Sequence, residues 1–283
     1  MTDLLQYDFF VHALWASLFT SITCGIIGTY IVSNRIVFLS GGITHSSFGG
    51  IGLGYFLGIN PLIGAAGFSV LSGLGIEYFS RTGKVRHDSM IGIWWSFGMA
   101  LGIIFIYLTP GYAPNLMTYL FGSILTVSTS DLLYMGILTL VILLFFIFFF
   151  RIILFISFDE EYARVFSMPV IGMKNILIAL VALTIVVNIK VVGIILLISL
   201  LTIPQSIANQ FTSVFRKMMV LSVVISLIGV ISGLLVSYQI EIPSGASIIF
   251  ALIVLFGLTR GSLFLRNRLP LNSRTEKNRT NTA

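Results

Sequence analysis

Nine apolar segments, each near the length of a membrane crossing, follow one another along this chain with little sequence between them. A helix needs about 20 mainly apolar residues to cross a bilayer. The chain is 57% hydrophobic and only 9% charged, whereas a soluble domain carries roughly 25% charged residues. The predicted spans are 9–33, 36–58, 61–80, 90–109, 131–157, 174–189, 191–212, 218–238 and 244–264. We therefore predict an all-α, polytopic membrane helical bundle with about nine transmembrane helices.

The predicted spans form a single transmembrane domain over residues 1–265. A basic tail follows at 266–283, and its polar end, NSRTEKNRTNTA, is expected to be disordered. The first residues, MTDLLQYDFF, lack the positive region of a cleavable signal peptide, so none is expected. The span 174–189 is the shortest of the nine, and its end beside Lys190 is the least sharply defined.

The basic residues predict the orientation of the bundle. The net charge of +6 would suit nucleic acid only if the cations were gathered in one patch, and they lie instead at the ends of the apolar segments. With nine crossings, Lys190 is the one lysine or arginine of the sequence that falls on one side of the membrane. The other side receives Arg35, Arg81, Lys84, Arg86, Arg151, Arg164, Lys174, Arg216, Lys217, Arg260, Arg266, Arg268, Arg274, Lys277 and Arg279. Because cytoplasmic loops are enriched in lysine and arginine, we expect the N-terminus outside and the C-terminus in the cytoplasm.

Two connections are longer than the rest. Residues 110–130, on the outer side, are semi-apolar and predict a short helix that lies on the membrane or dips into it. Residues 158–172, on the inner side, begin with three consecutive acids, which favour the start of a helix. One interpretation of this inner loop is a solvated acidic turn. The other is a docking element for a partner protein, formed by Asp159, Glu160, Glu161, Ala163, Val165, Phe166 and Met168.

The second span contains the stretch GGITHSSFGG, which places His45 among glycines and hydroxyl residues. Small residues recur at every fourth position, a pattern typical of closely packed membrane helices: Gly42, Ser46, Gly50, Gly54 and Gly58. One interpretation is packing alone, with His45 hydrogen-bonded to a neighbouring helix. The other is a polar path through the membrane, lined by His45 with Ser40, Thr44 and Ser47. Ionisable groups at membrane depth usually face a cavity, and a neutral imidazole can bind zinc, iron or manganese.

Several kinds of chemistry have no support in the sequence. The single cysteine, Cys24, excludes an intramolecular disulfide and a cysteine zinc cluster. There is no HExxH, GxSxG or P-loop motif, so we expect neither catalysis nor ATP binding by that route. An intramembrane enzyme using His45 with Ser46 or Ser47 would lack an orienting acid. A secondary transporter that works alone would need an intramembrane carboxylate relay, and no acid lies at the centre of a span.

Six segments, in order, resemble the membrane permease subunits of bacterial ABC importers for zinc, manganese or iron. They are RIVFLSGGITHSSFGG, VRHDSMIGIWWSFGMALGII, LFGSILTVSTSDL, FDEEYARVFSMPV, VVGIILLISLLTIPQSIAN and EIPSGASIIF, and they cover about residues 30 to 260. The chain departs from the family pattern at three places. Gly41 stands where the family has an aspartate, His87–Asp88 replaces a Glu-Asp pair, and Ser167 replaces the glycine of the docking loop. His45 keeps its matching position.

The resemblance implies a complete importer in a bacterial cytoplasmic membrane. Two permease copies would pack as a homodimer around a path for a divalent transition metal, with His45 as a transient ligand. Two ATPase subunits, which bind the ATP, would dock on the inner loops through Asp159, Glu161, Ala163, Phe166 and Met168. A binding protein would deliver the metal from outside, and the permease itself would bind no cofactor. The absence of the aspartate at Gly41 predicts weaker coordination or a different metal preference. The alternative is a stand-alone, ion-coupled secondary transporter.

Overall fold

The structure, a computed structural model, describes residues 6–83, 85–110 and 117–268, and within these ranges every regular element is helical. The disorder expected for the tail concerns residues that lie mostly outside this part of the chain. The helices are α1 (Asp8–Ser33), α2 (Val37–Phe56), α3 (Pro61–Thr82), α4 (His87–Leu108), α5 (Met117–Phe121), α6 (Thr129–Phe158), α7 (Glu160–Val165), α8 (Val170–Leu200), α9 (Ile203–Phe211), α10 (Phe215–Ile240) and α11 (Ser244–Arg268).

The all-α membrane bundle is confirmed, and the number of crossings is close to that predicted. Seven helical stretches in the described residues are long and apolar enough to cross a membrane. One of them, Val170–Phe211, is 42 residues long, about twice what one crossing needs. Helix α2 is not among the seven, but its 20 residues would also cross. A second crossing within Val170–Phe211, together with α2, gives nine. We call the end of the bundle that carries α7 the inner end and the opposite end the outer end.

The chain turns within Val170–Phe211 at Gly193, three residues beyond the expected point. Lys190 lies inside α8, and the break in helical geometry comes at Gly193, whose φ of 75° is in the left-handed region. A second interruption separates Leu200 from Ile203. Beyond the turn the chain runs back along α1, where Gln205 donates a hydrogen bond to the carbonyl of Cys24 at 2.8 Å. The sequence predicts the boundary between the two spans at Lys190 because a charged residue interrupts the apolar run there. The backbone conformation of Gly193 leaves no such mark on the hydropathy.

Helix α8 forms the centre of the bundle. It packs against α1, α2, α3, α5, α6 and α11, and most of its side chains are buried. Asn188 joins it to α1, since its side-chain oxygen accepts a hydrogen bond from the Thr20 hydroxyl at 2.7 Å. Its amide nitrogen donates to the carbonyl of Thr184 at 2.8 Å. A buried amide that is satisfied on both sides stabilises one particular packing of α1 on α8.

Gly193 is expected to be intolerant of a side chain. A Cβ atom there would collide with the backbone of Phe121 and Gly122, and Gly122 also has a positive φ. For Gly193→Ala we expect a loss of roughly 1–3 kcal/mol from backbone strain alone, seen as a lower midpoint of thermal unfolding in detergent. The control is Gly67→Ala, since a Cβ atom at Gly67 meets no atom within 4 Å. Equal midpoints for the two variants would contradict this account of the turn.

Candidate functional site

Helix α2 is held between α3 and α4 by contacts between backbones. A Cβ atom on Gly50 would collide with the Gly64 carbonyl of α3, and one on Gly52 would collide with the Gly102 carbonyl of α4. Gly98 of α4 lies equally close to the backbone of Ser46. The small-residue pattern of the second span therefore produces the close helix packing that it predicts. As a result, a side chain on the exposed part of α2 is attached to a helix that its neighbours hold in a fixed position.

His45 is the half-buried residue in a run of buried neighbours on α2. Its imidazole stacks on the indole of Trp95 from α4, with ring centroids 4.0 Å apart and planes 6° from parallel. Between described residues, neither ring nitrogen of His45 takes part in a hydrogen bond, in contrast to the hydrogen-bonded packing considered from the sequence. The imidazole is thus positioned through its face, which leaves the nitrogen lone pair available to a ligand.

The three hydroxyl residues of the predicted path lie on another side of α2. Ser40, Thr44 and Ser47 are fully buried. Each donates its hydroxyl to its own helix: Ser40 to Val37, Thr44 to Ser40 and Ser47 to Thr44, at 2.6–2.7 Å. Consecutive residues point about 100° apart around a helix, so His45 does not share their face. Their role as path-lining residues stays a prediction.

Gly41 and His45 are one helical turn apart and therefore lie on the same side of α2. A Cβ atom added at Gly41 meets no atom within 4 Å, so a larger side chain would have room there. Among the described residues, no group of three or more histidine, cysteine, aspartate or glutamate side chains is arranged to hold a metal ion. His45 therefore belongs to no closed site of three or more such side chains in this part of the chain, and an imidazole outside such a site suits passing contact better than permanent metal binding.

An ion pair at the outer end accounts for the one cation that departs from the predicted asymmetry. The ammonium of Lys190 lies 2.8 and 2.9 Å from the two carboxylate oxygens of Asp131. Asp131 also accepts hydrogen bonds from the backbone and side chain of Ser128. In return the Asp131 amide donates to the Ser128 hydroxyl, which completes a capping box at the start of α6. Sequence reasoning missed this pair, because residues 59 positions apart give no local signal.

Helix α7 lies at the inner end, where the sequence predicts a docking loop. Asp159 caps it by accepting a hydrogen bond from the Tyr162 amide at 2.9 Å, and Glu161 is exposed in its first turn. Val165 is 80% exposed and Phe166 is 58% exposed, whereas Met168 is half-buried. Ala163 is fully buried against its own bundle, so it and Phe166 do not form one outward surface. The apolar surface that α7 presents consists of Tyr162, Val165 and Phe166.

A cavity of about 420 Å³ lies beside α7 at the inner end. Its lining includes Tyr30, Asn34, Glu77, Ser80, Arg81, His87, Glu160 and Lys174. Lys174 binds Glu160 at 2.7 Å and approaches Glu77 to 3.5 Å. Burial would raise the pKa of the Glu160 carboxyl, but hydrogen bonds from Lys174 and Arg164 outweigh it and lower that pKa. Among these residues, the sequence predicts an inner position for Glu77, Arg81, His87, Glu160 and Lys174, but it gives no signal that brings them together.

Comparison with known proteins assigns the chain to a family. The family model described as "ABC 3 transport family" matches residues 6–260. The chain belongs to the ABC 3 transport family. This membership confirms the resemblance to metal-ion ABC importer permeases, and it shows that the alternative of a stand-alone secondary transporter is wrong, since an ABC permease works with a separate ATPase.

Two curated relatives match over almost the whole ABC 3 chain. An uncharacterized membrane protein of Synechocystis is 42% identical over 249 residues, covering 88% of this chain and 89% of the relative. A manganese transport system membrane protein of Listeria monocytogenes is 32% identical over 274 residues, covering 95% of this chain and 98% of the relative. Both alignments include α2 and α7, so the candidate sites fall within the shared region.

A solved structure shares the fold of this ABC 3 chain. PsaBC from Streptococcus pneumoniae, in complex with a Fab, matches with a TM-score of 0.82 and 29% identity. The match covers 90% of this chain and 92% of the solved chain. The helical arrangement described above is therefore that of a multi-pass ABC permease.

Proposed function

We propose that this chain is the membrane subunit of an ATP-driven importer that carries a divalent transition-metal ion, with ATP bound and hydrolysed on a separate subunit. The observation that carries the proposal is a half-buried imidazole on a helix of membrane-spanning length, in a chain that matches its transport family over residues 6–260. The Listeria relative is a manganese transport system membrane protein, which agrees with this substrate class. The fold shared with PsaBC agrees with a permease that works with partner subunits.

His45 is the proposed contact for the ion along the path. Ionisable side chains at membrane depth are costly unless they face a cavity or a partner. A single chain leaves the His45 side of α2 incompletely covered, so we propose that a second copy of the permease completes the path as a homodimer. Alternating access would then be driven by the ATPase subunits, which shift the balance between two states of the dimer.

The ligand chemistry bears on which metal is carried. Imidazole suits zinc and iron, whereas carboxylate and water suit manganese. With Gly41 in place of the aspartate of related permeases, the donor set at His45 favours zinc or iron over manganese. The manganese relative from Listeria supports the opposite order. We therefore propose zinc, manganese and iron as the candidate substrates and expect one of them to dominate uptake.

A competition assay tests the function and the metal together. Uptake of zinc, manganese and iron is measured in cells that carry or lack the gene, with each metal offered alone and against the other two. The proposal requires uptake of at least one metal to depend on the gene. It fails if all three enter equally well in both strains under metal limitation.

The proposed orientation places the N-terminus outside and the inner end, with α7, in the cytoplasm. Single cysteines at Asp3 and Asn278, in a Cys24→Ala background, are expected to react with an impermeant thiol reagent from opposite sides of the membrane. Cys24 is fully buried, so its removal takes away little accessible thiol. If both positions react from the same side, the number of crossings is even and the second crossing within Val170–Phe211 is wrong.

A further inference from the structure

Three charged residues from three helices meet at the inner end of the bundle. The ammonium of Lys174, in the first turns of α8, lies 2.7 Å from a carboxylate oxygen of Glu160 and 3.5 Å from one of Glu77. Glu160 is the first residue of α7, and Glu77 lies near the inner end of α3. Glu160 also pairs with Arg164 on α7 itself. Lys174 is thus the one group in this cluster, which we call the inner triad, that contacts both other members.

The inner triad is partly removed from water. The side chains of Glu77, Lys174 and Glu160 are 12%, 24% and 33% exposed. Charges in such a setting are screened less than surface charges, and removing one partner leaves the others uncompensated. Breaking one of these ion pairs is therefore more costly than breaking a surface pair, and this cost opposes a change in the relative positions of the three helices.

The adjoining cavity is a poor place for a metal ion. Its two carboxylates are already neutralised by Lys174 and Arg164, and Arg81 adds a further positive charge to its lining. A divalent cation would have to displace the ammonium of Lys174 against this excess of positive charge. The geometry therefore favours a mechanical role for the triad over a role as a metal site.

The helices joined by the triad lead from the inner surface to His45. Helix α7 presents Val165 and Phe166 outward. Helix α3 packs backbone to backbone on α2 at Gly50 and Gly64, and α8 also packs on α2. A displacement of α7 would reach α2 through Lys174, because close-packed helices move as rigid bodies and pass on the shift of an attached side chain.

We propose that Lys174 is a positioning residue for energy coupling: through Glu160 and Glu77 it ties the movement of α7 to α3 and α8, and so to the path at His45. This inference rests on the proposed function and adds to it the route by which ATP hydrolysis on the partner changes the access of the path. Lys174 binds neither the metal nor the ATPase in this role.

The test measures transport per ATP hydrolysed in membranes that hold the permease with its ATPase and binding protein. Lys174→Met is expected to lower this ratio about tenfold, within the range of measured couplings between sites, and to leave co-purification of the ATPase within about twofold. Lys174→Arg keeps the positive charge and is expected to retain most of the coupling. Lys217→Met is the matched control, because Lys217 is an exposed cation at the inner end of α10.

A second variant guards against misfolding. Lys174→Met combined with Glu77→Gln and Glu160→Gln leaves no charged side chain in the inner triad. Arg164 loses Glu160 as a partner in this variant, but its side chain is 53% exposed and can be solvated, so the variant is expected to fold and still to be uncoupled. A normal ratio of transport to ATP hydrolysis in this folded triple variant would overturn the proposal. The proposal would also be overturned if Lys217→Met lowered that ratio as much as Lys174→Met does. If the unmodified complex moves no metal, the proposed function fails and the coupling role fails with it. If the unmodified complex transports and the triple variant does too, only the coupling role is lost.

Discussion

Replacing His45 with alanine is expected to reduce metal uptake at least about tenfold while the protein remains inserted and folded. The loss of a residue that merely supports a metal ligand costs roughly 10- to 100-fold in affinity, and the loss of the ligand itself should cost no less. The imidazole is half-buried and stacks one face on Trp95, so its removal opens little of the packed core of α2. Uptake is measured at limiting metal for zinc, manganese and iron.

His12→Ala is the matched control for His45→Ala. It also removes a histidine, but one at the outer end of α1, where Nδ1 lies 3.1 Å from the carbonyl of Val127. Uptake by this variant should stay within about twofold of the unmodified protein. Normal uptake by His45→Ala across all three metals would contradict the path. If His45→Ala instead lowers the amount of folded protein, the packing interpretation of the histidine is the better one.

Val165→Arg is expected to abolish ATPase binding, and with it transport. Val165 is 80% exposed on α7, so arginine there disturbs nothing within the permease. In a docked interface the same arginine would be buried without a partner, at a cost of roughly 3 kcal/mol or more, which lowers the affinity at least about 100-fold. The readouts are co-purification of the ATPase subunit and metal uptake.

Val85→Arg tests a second possible docking surface for the ATPase, the connection between α3 and α4, in the same assay. Val85 is also an exposed valine at the inner end, but it belongs to the connection between α3 and α4. We expect this variant to keep the ATPase bound. Loss of the ATPase from Val85→Arg, with binding retained by Val165→Arg, would move the docking surface to residues 80–90 and make α7 a solvated turn. Ala163→Arg is less informative, because Ala163 is buried and arginine there would displace α7 itself.

The crossings and the close packing of α2 could be predicted because both depend on local composition. Runs of apolar residues predict membrane helices whatever surrounds them. The glycines of the second span predict close helix approach, and Gly50 and Gly52 do meet the backbones of neighbouring helices. The turn at Gly193 was misplaced because it depends on the conformation of one residue within a continuous apolar run.

Contacts between distant residues were beyond the sequence. The Lys190–Asp131 pair and the Lys174–Glu77 pair each join charges that are far apart in the chain, and many other pairings would have suited hydropathy equally well. The orientation of α7 was also open, because a helix of six residues has too few turns for a periodic pattern to separate the face of Ala163 from that of Val165.

The position of His45 was predicted in part. Its place on a membrane helix follows from the apolar segments, but its partner does not, because a ring can stack on any aromatic residue that a neighbouring helix brings close. Ser40, Thr44 and Ser47 were grouped with His45 because of their proximity in sequence. In the structure their hydroxyls bond to their own helix, which is always open to serine and threonine in membrane helices, and their part in the path stays a prediction.

ATP-dependent metal accumulation by the reconstituted complex tests the central claim most directly. This chain, its ATPase and its binding protein are placed in vesicles, and zinc, manganese and iron inside the vesicles are measured with and without hydrolysable ATP. The account predicts that at least one metal accumulates only when ATP and all the subunits are present, and that His45→Ala removes most of that accumulation. Accumulation of metal by this chain without the ATPase, or of none of the three metals by the active complex, would contradict it.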